Sequence, residues 1–250
     1  MQVDPIHQFQ IHNWAPLFSL GGHQISFTNS ALYMFIIVAL VSLLLIGATS
    51  RRAVVPGRLQ SIAEMSSEFV ADTVRSSAGT EGMKFFPFVF TFFMFVLFAN
   101  LIGLIPYSFT VTSQLIITVT LALLVFFLVV GYGFRRNRLH FLNLFVPKGV
   151  PKLILPAIVA IEVLSFLSRP VSHSVRPFAN MLAGHITLQV FAGFVIMLGS
   201  AGILGLFGAT LPFILVILLT ALELLVAFLQ AYVFAILTCI YLNDAIHPGH

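Results

Sequence analysis

Residues 162–187 read EVLSFLSRPVSHSVRPFANMLAGHIT. Two foldings compete for them. Either 169–185 is a polar loop between two short apolar runs, or about 151–198 forms one long helix. Placed on one helix, Glu162, Ser165, Arg169, Ser172, Arg176 and Asn180 recur at intervals of 3, 4, 3, 4 and 4. That is a single stripe, drifting about 20° per seven residues, and the residues flanking it are apolar or small. A loop has no reason to sort its polar residues this way, so the helix is the better reading. It would reach roughly 70 Å at about 1.5 Å per residue. A bilayer's hydrocarbon core is roughly 30 Å thick, so such a helix must lie steeply tilted. Pro156, Pro170 and Pro177 are the positions where it could bend.

Downstream, Gly199, Gly202, Gly205 and Gly208, ending at Pro212, read as a turn, and 211–242 as an apolar helix returning antiparallel. That segment repeats the pattern. Thr220, Glu223, Ala227 and Gln230 fall at intervals of 3, 4 and 3. Two antiparallel helices, each with a polar stripe and a buried charge, would make a water-lined or proton-conducting seam. Ionisable residues inside a membrane usually mark an ion pathway. Arg176 is the extreme case. No acid is near it in sequence: the nearest are Glu162 before and Glu223 after. An isolated charge at that depth costs from about 3 to more than 10 kcal/mol. Plainer roles also fit. Arg169 and Arg176 suit loop cations, Glu162 a helix-end acid near the membrane surface, and His185 a satisfied core histidine. Glu223, flanked by long uncharged runs, is harder to explain as structural. His185 lies about half a turn round the helix from Arg176 and about 13 Å along it, so the two face different surroundings.

Composition agrees with a membrane location. Hydrophobic residues make up 59% of the 250 residues and charged ones 8%, where soluble domains carry roughly 25% charged. Spans near 29–50, 85–105 and 111–133 approach the roughly 20 residues a transmembrane helix needs. The alternation of barrel strands is absent, which leaves a polytopic all-α bundle. Residues 57–82 differ. Leu59, Ile62, Met65, Phe69 and Thr73 recur at near-helical spacing against Glu64, Glu68, Asp72 and Arg75, as in an amphipathic helix on the membrane surface or on a partner.

Arg51–Arg52, the surface helix, Lys84, the cluster Arg135, Arg136 and Arg138, and Lys148 mark the inner side. The N-terminus then lies outside, one crossing away. MQVDPIHQFQIHNW has no basic region followed by an apolar core and is no signal peptide. It reads either as a surface segment held by Ile6, Phe9, Ile11 and Trp14 or as a disordered tail. The net charge of +4, gathered in short loops, is a topology signal and does not suggest nucleic acid. A single cysteine, Cys239, excludes an internal disulfide. No HExxH occurs and no histidines pair at i, i+4 within the spans, which argues against an intramembrane enzyme.

The run EVLSFLSRPVSHSVRPFANMLAGH (162–185), followed by LLTALELLVAFLQAYVFAILTCIYLND (218–244), resembles subunit a of F-type ATP synthases. The likeness covers about residue 85 to the end and is most specific in the string from Arg176 to His185 and in Glu223 with Gln230. The pairing of His185 with Glu223 looks like the mitochondrial-type branch. Pro177 departs from the family, which more often has leucine after the arginine.

The resemblance implies five membrane-embedded helices and one amphipathic surface helix within a single membrane domain, 1–250, the last two helices forming a long tilted hairpin of 151–198 and 211–242. It implies partners: a rotating c-ring of small two-helix subunits, each with one lipid-embedded carboxylate, b-type peripheral-stalk subunits, and the other ATP synthase subunits. It implies no cofactor, no metal and no catalysis by the chain itself. The place would be a bacterial inner membrane, or alternatively the mitochondrial one, with the C-terminus inside. Protons would enter a half-channel holding His185, Glu223, Gln230 and Asn180, ride the ring, and leave through a second one with Glu162 near its mouth. Arg176 would be the barrier and the electrostatic partner of the ring carboxylate. A self-contained ion transporter or antiporter is the competing reading, though the internal repeats frequent in transporters are absent.

Overall fold

A computed structural model describes residues 11–20, 23–50, 55–105, 108–146 and 154–247. Ile6, Phe9, Arg51, Arg52, Pro106, Lys148, Pro151 and Lys152 lie outside the described residues, as does the start of the 151–198 segment. A two-stranded antiparallel hairpin, β1 (Asn13–Leu20) and β2 (His23–Thr28), precedes six long helices. These are α1 (Asn29–Ser50), α2 (Arg58–Gly82), α3 (Phe86–Gly103), α4 (Leu115–Asn137), α5 (Leu155–Gly199) and α6 (Ile203–Ile246). Five helical stretches are long and apolar enough to cross a membrane; one of them joins α2 and α3. The protein is therefore an all-α polytopic membrane protein with a small β-hairpin at its start.

Of the N-terminal segment read as surface-lying or disordered, only Ile11 to Trp14 lie among the described residues, with Asn13 and Trp14 opening β1. Trp14 is left exposed. The hairpin runs directly into α1. The Thr28 hydroxyl accepts the Ala31 amide at 3.3 Å, an N-cap, and the Asn29 amide donates to the His12 carbonyl at 3.1 Å.

The 162–187 stretch is helical throughout. α5 runs unbroken for 45 residues, through Pro170 and Pro177. Pro156 sits in its first turn, where a missing amide does no harm. The turn that follows is tighter than the glycine spacing suggests. It occupies 200–202, with Gly202 at φ 90°, a conformation that favours glycine. Gly205, Gly208 and Pro212, read above as turn residues, lie inside α6. Gly205 serves another purpose. A Cβ on it would stand 2.1 Å from the Leu198 carbonyl oxygen, which already accepts the Ala201 amide at 3.0 Å. The glycine lets two backbones meet. Gly205→Val should destabilise the hairpin tip by about 1–3 kcal/mol, the usual range for overpacking. The thermal unfolding midpoint of the purified chain in detergent measures it, and an unchanged midpoint would contradict the close approach.

The chain divides into two compact units. One gathers Met1–Val41, Phe95–Gln114 and Pro177–Gln230; the other gathers Ser42–Met94, Leu115–Arg176 and Ala231–His250. The first buries Ile37, Val96, Ala99, Phe109, Val111 and Met181. The second is dominated by phenylalanine: Phe126, Phe141 and Phe145 each lie against Phe166. In that unit α2 buries Val70, Thr73, Val74 and Ala78, and Phe69 meets Phe93 and Tyr232. Leu59, Ile62 and Met65 remain exposed. The apolar stripe of α2 thus packs only through its C-terminal half, on a face shifted from the one its spacing predicts.

Candidate functional site

In the first unit, α5 and α6 bring four of the expected residues into one polar region, exposed only at Asn180. The Asn180 amide donates to Gln230 Oε1 at 3.1 Å, and Gln230 is almost wholly buried. Helical spacing places both on facing stripes, as expected from the intervals above. His185 is buried, with Nε2 3.2 Å from the Thr110 hydroxyl. Glu223 packs against Gly184, the residue before His185: a Cβ on Gly184 would stand 2.5 Å from Glu223 Oε1. Any side chain larger than hydrogen there would displace the carboxyl group. Both Glu223 oxygens are buried with no hydrogen-bond partner among the described residues. A buried carboxyl group left unbonded is costly, and groups of that kind are concentrated at functional sites.

Three further polar residues complete this region. Asn100 on α3 is fully buried. Its amide donates to the Ala227 carbonyl at 3.1 Å, and its carbonyl accepts from the Thr112 hydroxyl at 2.8 Å. Thr110 holds His185, as above. Nothing in the sequence reading marked these three. The one available signal was Asn100 itself, a lone amide within the phenylalanine-rich second span.

The second unit holds the other two expected residues and does not bring them together. Arg176 projects from an exposed face of α5, beside the exposed Val171 and Val175. Glu162 is half-exposed nearer the start of the helix. Among the described residues neither has a hydrogen bond or an ion pair. Arg169, one heptad before Arg176, behaves differently. It pairs with Asp244 of α6 at 2.7 Å and stacks on Phe166 and Tyr241 with its guanidinium carbon 5.1 and 5.0 Å from the ring centroids. Asp244 was not singled out from the sequence. His173 lies buried against Phe234, the ring centroids 3.9 Å apart, and its Nε2 lacks a partner among the described residues.

The chain that carries these residues meets a clear match among known proteins. The sequence profile of the family described as "ATP synthase A chain" covers residues 31–243. The chain belongs to the ATP synthase subunit a family. Proteins named "ATP synthase subunit a" align with it end to end. That of Nitrobacter winogradskyi is 67% identical over 248 residues, 99% of this chain and 100% of the relative. That of Rhodopseudomonas palustris is 66% identical over 250 residues, 100% of both chains. That of Bradyrhizobium diazoefficiens is 65% identical over 254 residues, again 100% of both. These subunit a relatives are bacterial, and the chain is a multi-pass membrane protein of the same kind.

Proposed function

We propose that this chain is the non-catalytic, proton-conducting stator subunit of a bacterial rotary ATP synthase, folded as a single membrane domain beside a c-ring and held by b-type peripheral-stalk subunits. The observation that carries the proposal is the pair of opposite anomalies described above: among the described residues, Glu223 is a buried carboxyl group without a hydrogen bond and Arg176 an exposed arginine without a counter-charge. Each lacks a partner that a moving acid and its proton would supply.

Protons enter from the outer side through a half-channel containing His185, Glu223, Gln230 and Asn180 and pass to a ring carboxylate. Once neutral, that carboxylate rotates into lipid, which its charged form could not do cheaply. After nearly a full turn it meets a second half-channel, open to the inside with Glu162 near its mouth, and releases the proton. Arg176 is the barrier between the two paths. A guanidinium does not give up its proton, so it cannot relay one; it favours the ionised ring carboxylate and so drives release. Each charge crossing 100 mV delivers about 2.3 kcal/mol to the cycle. The basic clusters support a topology with the N-terminus outside and the C-terminus in the cytoplasm. The assignment of histidine and acid to His185 and Glu223 supports the mitochondrial-type arrangement within the family.

The test is ATP-driven proton pumping by the assembled complex in inside-out vesicles carrying substitutions at these positions. Glu162→Gln should lower pumping by less than about threefold, because water can stand in for an acid near the surface. A complete loss would place Glu162 inside the membrane path instead of at its mouth.

A further inference from the structure

α5 carries two arginines one heptad apart on a single stripe, about 10.5 Å along the helix, and the fold treats them oppositely. Arg176 is exposed and without a charged partner among the described residues. Arg169 is held by three groups: Asp244 at 2.7 Å and the rings of Phe166 and Tyr241. Both members of the ion pair are largely buried, at 23% and 17% exposure. The titratable neighbours on the packed helices are His173 of α5 and Tyr241 of α6, whose rings lie 5.9 Å apart. Asp244 is the only one of these groups with a negative charge to offer Arg169. Without it, α5 would present two cations to any acid travelling past.

We propose that Asp244 is a charge-cancelling positioning residue: it neutralises and pins Arg169, so that Arg176 is the single cation α5 offers to a ring carboxylate. The inference rests on the function proposed above. It makes the two members of the pair unequal. Losing Asp244 frees a competing cation on the inner path. Losing Arg169 leaves an anion there, which does not compete with Arg176. A purely structural tether would make the two losses equivalent, and losing both no better than losing one.

The experiment measures ATP-driven proton pumping in inside-out vesicles, normalised to assembled complex, for Asp244→Asn, Arg169→Gln, the two combined, and Arg176→Ala. Asp244→Asn should reduce pumping roughly tenfold, the effect of one unpaired charge about 10 Å away at an effective dielectric constant of about 20. Arg169→Gln should do much less, and the combined variant should recover most of the activity. A combined variant as impaired as Asp244→Asn overturns the inference and leaves a tether. Asp244→Asn at wild-type level with Arg176→Ala inactive overturns the inference alone. Arg176→Ala at wild-type level overturns the function reading and this inference with it. If Asp244→Asn alone does not assemble, the combined variant carries the test: assembly with pumping supports charge cancellation, and failure to assemble overturns it.

Discussion

Arg176→Ala abolishes ATP synthesis driven by a proton gradient while leaving the complex assembled. The side chain makes no hydrogen bond or ion pair among the described residues, so its removal breaks nothing in the fold. What it removes is the counter-charge for an acid on another chain. A carboxylate ionised inside lipid without that counter-charge costs about 3 kcal/mol or more, which corresponds to a rate loss of roughly 100-fold or greater. Arg176→Lys should fail as well. Lysine lacks the planar fork of two parallel donors and can shed its proton in an apolar setting. Passive proton leak through the membrane sector should persist or rise in the alanine variant, because the barrier is gone. Synthesis rates and dye-reported leak in the same vesicles measure both effects, and synthesis at the wild-type rate in either variant would refute the mechanism.

Glu223→Gln slows proton entry by roughly 100-fold, the lower end of what a positioned acid or base contributes to proton transfer. Glutamine keeps the volume, so the packing against Gly184 survives. It cannot take up and release a proton. Proton-driven synthesis should fall with the complex intact, and a pumping rate equal to wild type would reduce Glu223 to a structural residue. The two substitutions separate cleanly: the glutamine variant should not leak, since Arg176 still closes the path, whereas the alanine variant should.

Much of this was legible in the sequence because helices repeat. The 3,4,3,4,4 spacing of α5 decided between helix and loop, and α5 is helical throughout. The 3,4,3 spacing of Thr220, Glu223, Ala227 and Gln230 put Gln230 where it meets Asn180. What spacing could not supply was partners contributed by other elements. Asn100, Thr110 and Thr112 come from α3 and the segment after it, and each looks ordinary in its own run. The same holds for Asp244, which reads as one more polar residue near the chain's end until Arg169 is found 2.7 Å away. Glycine misled in a different way. A row of glycines before a proline suggests a loop, but Gly205 answers to a crowded backbone contact, and crowding is a property of the packed pair of helices. The hairpin before α1 went unseen because a short strand pair has so little sequence in which to establish a period.

The continuity of α5 has a consequence for how such a chain can vary. Glu162, Arg169 and Arg176 all sit on one uninterrupted rod within the second unit, so their angular phases are locked to one another. Inserting or deleting a single residue within the rod would swing everything downstream by about 100°. Conservative replacements along it can be absorbed one at a time, whereas a change in its length would misaim the whole set at once.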